Sequence, residues 1–354
     1  MPVRVRFAPS PTGSLHVGNA LTAVVNRRFA DEHGGVLVLR IDDTDPTRTV
    51  AGGEEAILED LAWLGVEFDE GPVRQSERSE VYDDAVERAL STDAVERDDD
   101  GSIRLPRDGT TLVRADGTAT YQLASVVDDL ELGITHVVRG SDHRPNLPTQ
   151  QRIARALGAE LPEVIHHGLV LGEDGKKLSK RHGHSSIGEL RAEGFPSTAV
   201  RAYLDELGLP EHDVHLDLAR LRRLAVDAIA AMPDEELAEA ADAPVDLVPA
   251  LRGARSLVEA REYATLVLEP QQVAVGVDAV PTLDRFIELR ASGPDQLSHD
   301  DGRAIVRELK AVGGDLHALR LALTGADRGP ELAAVLAAVP REEALARADR
   351  ARGA

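Results

Sequence analysis

The spacing of apolar residues near the start of the chain predicts an α/β domain. Residues 3–7 alternate apolar and charged side chains as a strand does, whereas the apolar positions in residues 15–29 recur at helical spacing. Residues 36–41 form an apolar stretch with one arginine, which is typical of a strand buried in a parallel sheet. The chain therefore opens with strand, helix and strand, an order that predicts a mostly parallel sheet.

The same pattern predicts the elements that follow. Helices are expected at residues 54–64, 81–90 and 147–157, and strands at residues 121–127, 136–139 and 164–170. Residues 93–109 are acidic and aperiodic, so a loop or small excursion is expected there. Beyond about residue 185 the strand signals fade and helical segments rich in Ala and Leu continue to the end. A domain boundary near residue 190 and an all-α region after it are the prediction.

Composition excludes several classes of protein. The 354 residues include 40 basic and 62 acidic side chains, a net charge of −22, which argues against nonspecific polyanion binding but leaves local basic sites open. The chain has no cysteine, which rules out disulfides, thiolate metal ligands and cysteine nucleophiles. No apolar run approaches the roughly 18 residues of a membrane span. A cytoplasmic protein without a membrane partner is therefore expected.

The first stretch with candidate chemistry is Arg-Phe-Ala-Pro-Ser-Pro-Thr-Gly-Ser-Leu-His-Val-Gly-Asn at residues 6–19. It lies where the first strand passes into the first helix, and a helix N-terminus at that place favours phosphate. Gly13 and Gly18 carry no side chain that would obstruct a nucleotide, and His16 can donate a hydrogen bond to a phosphate oxygen. The alternative is a proline-rich turn with an internally satisfied histidine.

The second stretch, at residues 172–183, places four cations within six positions beside several glycines. Such a cluster is costly to hold together unless anions balance it, and a triphosphate would do so. A solvated basic loop is the alternative. Neither a Gly-x-Gly-x-x-Gly motif after a strand nor the Walker spacing occurs, so a dinucleotide oxidoreductase and a P-loop ATPase are both disfavoured.

Together the two stretches resemble the HIGH and KMSKS signatures of class I aminoacyl-tRNA synthetases, in particular the glutamyl branch. Residues 39–45, 74–78, 121–129 and 133–143 also resemble that branch. The resemblance implies a Rossmann-like catalytic domain with a parallel sheet, followed by an all-α C-terminal region. The implied reaction is ATP-dependent activation of L-glutamate as glutamyl-adenylate, and transfer to the 3′-terminal adenosine of tRNA(Glu).

The resemblance also assigns residues to ATP and to catalysis. The family's signature loops stabilise attack of a carboxylate on the α-phosphorus, and phosphoryl transfer of this kind depends mainly on positioning and charge neutralisation. Mg²⁺ would accompany ATP as a co-substrate ion, and no structural zinc is expected. The implied catalytic residues are His16, Lys177 and Lys180, and the implied ATP-binding residues are Gly13, His16, Gly18, Asn19, Lys177, Ser179 and Lys180.

Glutamate carries a second carboxylate, whose recognition requires a cation. Arg6 and Arg139 match the family positions that contact the substrate, and guanidinium binds carboxylate in a bidentate manner. The alternatives are a surface charge on a strand for Arg6 and a structural ion pair for Arg139. Asp42 stands where Glu is common in the family, and Ser125 where some members have Asn. The full implied set is Arg6, Ala8, Ser10, Asp42, Tyr121, Ser125 and Arg139.

Arginines are the candidate contacts to tRNA. The resemblance implies Arg48 and a patch that begins the stem-contact helix, although a solvated helix face also explains that patch; its members are Arg220, Arg222 and Arg223. Two other groups are interpreted as structural rather than as an acid–base pair or a metal site: Asp128 with Asp129, and His166, His167, His182 and His184.

Three segments are expected: a catalytic domain at residues 1–190, a stem-contact-like helical region at 191–250 and an anticodon-binding-like helical domain at 251–354. The acceptor-binding insert is shortened to about residues 91–110, and its acidic residues would repel tRNA phosphates. Two alternatives stay open. One is a paralogue that glutamylates a modified tRNA nucleoside, a carrier protein or a small amine, and the other is a non-catalytic tRNA-binding factor, which the intact His16, Lys177 and Lys180 disfavour.

Overall fold

The computed structural model describes residues 2–45, 47–106, 109–172, 174–176, 178 and 185–353. The chain divides into two compact units. Unit 1 comprises Met1–Arg191 and Arg201–Leu218, and unit 2 comprises Ala192–Val200 and Ala219–Ala354. The expected division at residues 190 and 250 into catalytic, stem-contact-like and anticodon-binding-like segments stays a prediction.

All the strands of the described residues lie in unit 1. They are β1 (Arg4–Phe7), β2 (Val36–Ile41), β3 (Glu70–Arg74), β4 (Glu96–Arg97), β5 (Ile103–Arg104), β6 (Thr111–Val113), β7 (His136–Gly140), β8 (Glu163–His167), β9 (Val170–Leu171) and β10 (Val214–His215). The helices up to residue 207 are α1 (Val17–Glu32), α2 (Gly53–Trp63), α3 (Ser79–Leu90), α4 (Tyr121–Glu131), α5 (Leu147–Ala156), α6 (Ile187–Ala192) and α7 (Ser197–Leu207).

The main sheets are parallel, as the sequence predicted. β1, β2 and β3 pair in parallel in that order, β7 pairs in parallel with β8, and β9 with β10. The backbone N–H of Thr135 donates to the carbonyl of Arg4 (2.9 Å), which brings the start of β7 beside β1. The carboxyl ends of these strands are therefore the place where a ligand site is expected.

The strand predicted at residues 121–127 is wrong, because these residues form helix α4. Leu123, Ala124, Val126 and Val127 are all buried, at a spacing that places an apolar stripe on one face of a helix. Thr120 caps the helix, since its hydroxyl accepts a hydrogen bond from the backbone N–H of Leu123 (3.5 Å). A short apolar run with two valines does not by itself separate a buried helix from a strand.

The acidic segment at residues 93–109 is more ordered than a plain loop. β4, β5 and β6 form a small antiparallel sheet. Its apolar residues Ile103, Leu105 and Leu112 are buried in one cluster with Tyr82 of α3 and Leu123 of α4. Strands of two or three residues are too short to show the alternation of apolar and polar residues that predicts a strand. Only their buried apolar residues could have indicated them.

Unit 2 is all-α in its described residues, as expected for the C-terminal region. Its core rests on leucine and alanine around Phe286, which is fully buried. No helix of the part of the chain that the structure describes is long and apolar enough to cross a bilayer. The remaining helices are α8 (Leu218–Ala231), α9 (Asp234–Ala240), α10 (Val248–Leu251), α11 (Leu257–Leu268), α12 (Val280–Ala291), α13 (His299–Ala311), α14 (Leu316–Thr324), α15 (Leu332–Ala338) and α16 (Arg341–Gly353).

Candidate functional site

The first signature stretch forms the loop between β1 and α1. His16 is the N-cap of α1, and its Nδ1 accepts a hydrogen bond from the backbone N–H of Asn19 (3.4 Å). Because Nδ1 is an acceptor, the neutral ring carries its proton on Nε2. The partial positive charge at the helix N-terminus adds to the attraction for an anion. The loop can therefore offer both a ring N–H and a helix terminus to a phosphate.

A buried carboxylate from α2 holds this loop in place. Asp60 is fully buried, and its Oδ2 accepts hydrogen bonds from the hydroxyl of Ser14 (2.7 Å) and the backbone N–H of Leu15 (2.8 Å). The same hydroxyl oxygen accepts from the backbone N–H of Gly188 (2.9 Å) at the start of α6. A Cβ added at Gly188 would lie only 2.9 Å from that oxygen, so the contact depends on glycine.

The two signature stretches meet in unit 1 although they are far apart in sequence. The N–H of Val17 donates to the carbonyl of Ser185 (2.9 Å), and the N–H of Ile187 donates to the carbonyl of Leu15 (2.7 Å). Leu178, from the middle of the basic stretch, is 5% exposed and lines the same cleft as His16. Three of the predicted residues lie outside the described residues: Lys177, Ser179 and Lys180.

The cleft has a volume of about 460 Å³ and opens at the carboxyl ends of β1 and β7. Gly13 and Ser125 are the described members of the predicted ATP and glutamate sets that do not line it. The cleft is also lined by residues that the sequence analysis did not assign to a ligand, among them Gln122, Asp142, His143 and Asn146. The predicted residues that it brings together are Arg6, Ala8, Ser10, His16, Gly18, Asn19, Asp42, Arg48, Tyr121 and Arg139.

Two buried arginines of the cleft are tethered in the same way. Arg6 is 7% exposed and donates from Nε to Oδ1 of Asp129 (3.1 Å). Arg139 is 6% exposed and donates from Nε to Nε2 of His166 (3.3 Å). No described residue accepts a hydrogen bond from the buried Nη2 of Arg139. Both guanidinium groups are thus held by Nε, and both residues line the cleft, an arrangement that suits a carboxylate.

The charges around Arg139 favour an anionic ligand. Burial, together with the charge of Arg6, lowers the pKa of Arg139, and Arg139 forms no ion pair with a described residue. Burial and the nearby Arg139 lower the pKa of His166 to about 4, so its ring is neutral at neutral pH and Nε2 can accept the hydrogen bond. A carboxylate bound here would offset an uncompensated buried charge.

Beside the cleft lies a buried network of carboxylates around Arg40. Arg40 is 1% exposed and donates to both oxygens of Asp42 (2.6 and 3.2 Å) and to Oδ1 of Asp129 (2.8 Å). Burial acts to lower the pKa of Arg40, but Asp42 and Asp129 outweigh it and the pKa is raised. Arg40 therefore stays charged and well compensated.

Asp128 and Asp129 occupy different surroundings although they are adjacent. Asp128 accepts hydrogen bonds from Gln75 (2.8 Å), Arg78 (2.7 Å) and Tyr82 (3.1 Å), away from the cleft. Both residues lie on helix α4 and not on a strand. The sequence analysis did not predict the contact of Asp129 with Arg6. The one sequence feature that hinted at a buried partner was the pair of acidic residues after the apolar stretch of α4.

The remaining members of the predicted glutamate set differ in their exposure to the cleft. Asp42 lines it while both its oxygens accept hydrogen bonds from Arg40. Burial, and then the charge of Asp42, raises the pKa of Tyr121, so its hydroxyl keeps its proton and can donate. Ser125 is 2% exposed and lies one helical turn after Tyr121, behind the cleft lining.

The arginines predicted to contact tRNA are divided between the units. Arg48 lines the unit 1 cleft. Arg220, Arg222 and Arg223 of α8 line a groove of about 800 Å³ in unit 2, where Arg222 and Arg223 are exposed. Acidic side chains share the groove, among them Glu193, Asp227 and Glu262.

The described residues contain no group of three or more His, Asp or Glu that could hold a metal ion, and His182 and His184 lie outside them.

Comparison with known proteins assigns the family. The family model for the catalytic domain of class I tRNA synthetases (E and Q) matches residues 2–98 and 92–221. Glutamate–tRNA ligase 1 of Rubrobacter xylanophilus is 36% identical over 427 aligned positions, covering 99% of this chain and 98% of that protein. Glutamate–tRNA ligase 1 of Methylorubrum extorquens is 32% identical, covering 98% of each chain.

Solved structures agree with the fold. The crystal structure of a glutamate tRNA ligase from Elizabethkingia meningosepticum in complex with its amino acid has a TM-score of 0.80 at 22% identity and covers 99% of both chains. Glutamate–tRNA synthetase from Elizabethkingia anophelis has a TM-score of 0.78 at 22% identity and covers both chains fully. These findings confirm the predicted fold class, and the chain belongs to the class I tRNA synthetases of the glutamyl and glutaminyl (E and Q) family.

Proposed function

We propose that this chain is a glutamate–tRNA ligase. It activates L-glutamate with ATP to glutamyl-adenylate and pyrophosphate, and then transfers the glutamyl group to the 3′-terminal adenosine of tRNA(Glu) with release of AMP. Near full-length similarity to relatives of that name supports the proposal. The observation that carries it is the cleft in which the first signature loop and Leu178 of the second lie beside two buried arginines, each held by its Nε.

The amino-acid end of the cleft selects a dicarboxylic substrate. In this proposal Arg6 and Arg139 bind the side-chain carboxylate, and Tyr121 donates a further hydrogen bond from its protonated hydroxyl. Asp42 attracts the α-amino group, and Ala8 and Ser10 complete the wall. Glutamine would place a neutral amide against Arg139, leaving its charge uncompensated, and rejection of glutamine follows from that cost.

Activation takes place at the loop end of the cleft. An α-carboxylate oxygen attacks the α-phosphorus of ATP, a bond to that phosphorus forms, and the bond to the leaving pyrophosphate breaks. His16 would donate from Nε2 to a phosphate oxygen, Gly13 and Gly18 would leave space at the start of α1, and Asn19 would be a further contact to ATP. Lys177 and Lys180 would neutralise the charge that develops on the leaving group, and the hydroxyl of Ser179 would donate a hydrogen bond to the nucleotide. Mg²⁺ accompanies ATP as part of the substrate.

Contacts to tRNA complete the proposal. Arg48 at the cleft would meet the acceptor end, and the exposed Arg222 and Arg223, together with Arg220, would contact phosphates of the stem. The small acidic sheet β4–β6 stands where the sequence predicted a shortened acceptor-binding insert, and its carboxylates do not attract RNA. A cytoplasmic location, where tRNA and ATP are at hand, is part of the proposal.

The direct test is charging of total tRNA with labelled glutamate, followed by identification of the labelled RNA. The proposal predicts label on tRNA(Glu), release by mild base, and loss of acceptor activity after periodate treatment of the RNA. Label that survives mild base would indicate a nucleoside adduct instead. Absence of any glutamate-dependent ATP–pyrophosphate exchange, with tRNA present, would favour a non-catalytic factor.

A further inference from the structure

One carboxylate oxygen joins the cleft to the network behind it. Oδ1 of Asp129 accepts from Nε of Arg6 (3.1 Å) and from Nη1 of Arg40 (2.8 Å). Asp129 is 6% exposed, so these bonds are well shielded from water. Arg40 in turn grips both oxygens of Asp42. A continuous chain of hydrogen bonds thus runs from Asp42 through Arg40 and Asp129 to Arg6.

Both ends of that chain line the cleft, whereas its middle does not. Asp42 and Arg6 are cleft residues, while Arg40 and Asp129 lie behind them. Asp42 bears a negative charge and Arg6 a positive one. The series of hydrogen bonds between them therefore holds a site for an ammonium group apart from a site for a carboxylate. Because both buried links are directional hydrogen bonds, they fix that separation more firmly than apolar packing would.

The tether also decides which part of Arg6 is offered to a ligand. Asp129 takes the Nε–H, and no described residue accepts a hydrogen bond from either Nη. An arginine held only by its aliphatic stem has several rotamers, and ordering such a side chain on binding weakens the affinity for the ligand. Asp129 therefore preorganises the bidentate edge of Arg6.

We infer that Asp129 is a positioning residue for substrate selection: through the Arg40–Asp42 pair it sets where the Nη edge of Arg6 lies relative to Asp42. The inference rests on the proposed function. Oδ1 of Asp129 accepts hydrogen bonds from both Arg6 and Arg40, and its position therefore determines where Arg6 lies. The site requires a hydrogen-bond acceptor at the position of this oxygen. It touches no substrate itself.

Two substitutions separate position from charge. Asp129→Asn keeps an oxygen acceptor at the same place but removes the charge, whereas Asp129→Glu keeps the charge and moves the oxygen by about one methylene. Asp128→Glu is the control, since Asp128 is the adjacent buried carboxylate and accepts hydrogen bonds from Gln75, Arg78 and Tyr82 instead of Arg6. Asp128 lies 3.8 Å from Nε of Arg40, a longer contact than the 2.8 Å hydrogen bond from Arg40 to Asp129. Glutamate-dependent ATP–pyrophosphate exchange in the presence of total tRNA gives KM for glutamate and for ATP separately.

The expected result is a rise in the glutamate KM of Asp129→Glu of roughly 10- to 100-fold, the range that loss of a hydrogen bond to a charged group produces. Its ATP KM should stay within about 3-fold of the wild-type value, as should the glutamate KM of Asp129→Asn and of Asp128→Glu. Thermal unfolding of all three variants identifies any general loss of folding.

Three outcomes would overturn the inference: a wild-type glutamate KM in Asp129→Glu, an equal rise in Asp128→Glu, or an Asp129→Asn variant as impaired as Asp129→Glu. In each of these the wild-type protein still activates glutamate, so the proposed function stands. A wild-type protein that shows no glutamate-dependent exchange would contradict the proposed function and this inference together.

Discussion

Arg40 and Arg139 are both enclosed in unit 1, yet one is surrounded by carboxylates and the other is not. Arg40 donates to Asp42 and Asp129, and these charges raise its pKa. Arg139 donates to a neutral histidine, and burial lowers its pKa. The difference separates two settings of a buried cation: Arg40 is compensated by carboxylates of its own chain, whereas Arg139 forms no ion pair with a described residue and, in our proposal, binds the substrate carboxylate.

Replacing Arg40 should have the largest effect on stability. Arg40→Met leaves Asp42 and Asp129 buried without their partner, and breaking a buried pair in this way costs about 3–5 kcal/mol. Urea unfolding at neutral pH measures the change. Arg88→Met is the control, because the exposed pair of Arg88 with Glu131 should contribute less than about 1 kcal/mol. Equal losses in the two variants would show that the network around Arg40 is not stabilising.

Replacing Arg139 should separate function from stability. Arg139→Met removes a buried charge that pairs with no carboxylate of the described residues, so the free energy of unfolding should be unchanged or higher. The glutamate KM should rise roughly 30- to 1,000-fold, because the substrate carboxylate would lose its buried partner. Exchange kinetics and urea unfolding on the same preparation test both halves. A marked loss of stability with a normal glutamate KM would make Arg139 a structural residue.

The neutral His166 predicts a pH dependence that the network around Arg40 does not share. Its pKa is about 4 in the folded protein and about 6.5 when unfolded, so the unfolded chain binds more protons between these values. Stability should therefore fall as the pH drops through this window. In His166→Gln, which keeps an acceptor near the Nε2 position, the loss between pH 7.5 and 5 should be smaller by about 1 kcal/mol after allowance for solvent screening. Identical pH profiles would remove His166 as a titrating neighbour of Arg139.

Asp60 is a buried anion, and replacing it with Asn should change the free energy of unfolding the least among these variants. Burial raises its pKa, and Nη2 of Arg191 lies 3.8 Å from its Oδ1. Asp60→Asn keeps an acceptor for Ser14 and Leu15 and should change stability by less than about 1 kcal/mol. Asp60→Ala should raise the ATP KM, because the loop that carries His16 loses its anchor. An Ala variant with a normal ATP KM would show that the loop is held without Asp60.

Much of this arrangement could be predicted from the sequence because it is local. The alternation in β1, the helical spacing of α1 and the glycines around His16 each report on neighbouring residues, and they indicated a phosphate-binding turn. The fading of strand signals after residue 185 indicated the all-α unit in the same way. The family resemblance placed Arg6, Tyr121 and Arg139 in one set before any contact between them was visible.

What the sequence did not indicate depends on contacts between distant segments. The run at residues 121–127 was interpreted as a strand, since its helical stripe is distinguished only by what it packs against. Asp129 meets Arg6 across 123 positions, and Asp60 meets Ser14 across 46. No periodicity reports such pairs. The same holds for the lack of an ion pair between Arg139 and any described residue, which is a property of the surrounding fold rather than of its own segment.

The most direct measurement is the ratio of kcat/KM for glutamate over glutamine in tRNA-dependent ATP–pyrophosphate exchange, for the wild type and for Arg139→Met. The unpaired charge of Arg139 predicts a strong preference of the wild type for glutamate and a ratio that falls by at least about 10-fold in the variant. A wild type that activates both amino acids equally, or a variant that keeps the full preference, would contradict the role of Arg139 as the receptor for the substrate carboxylate.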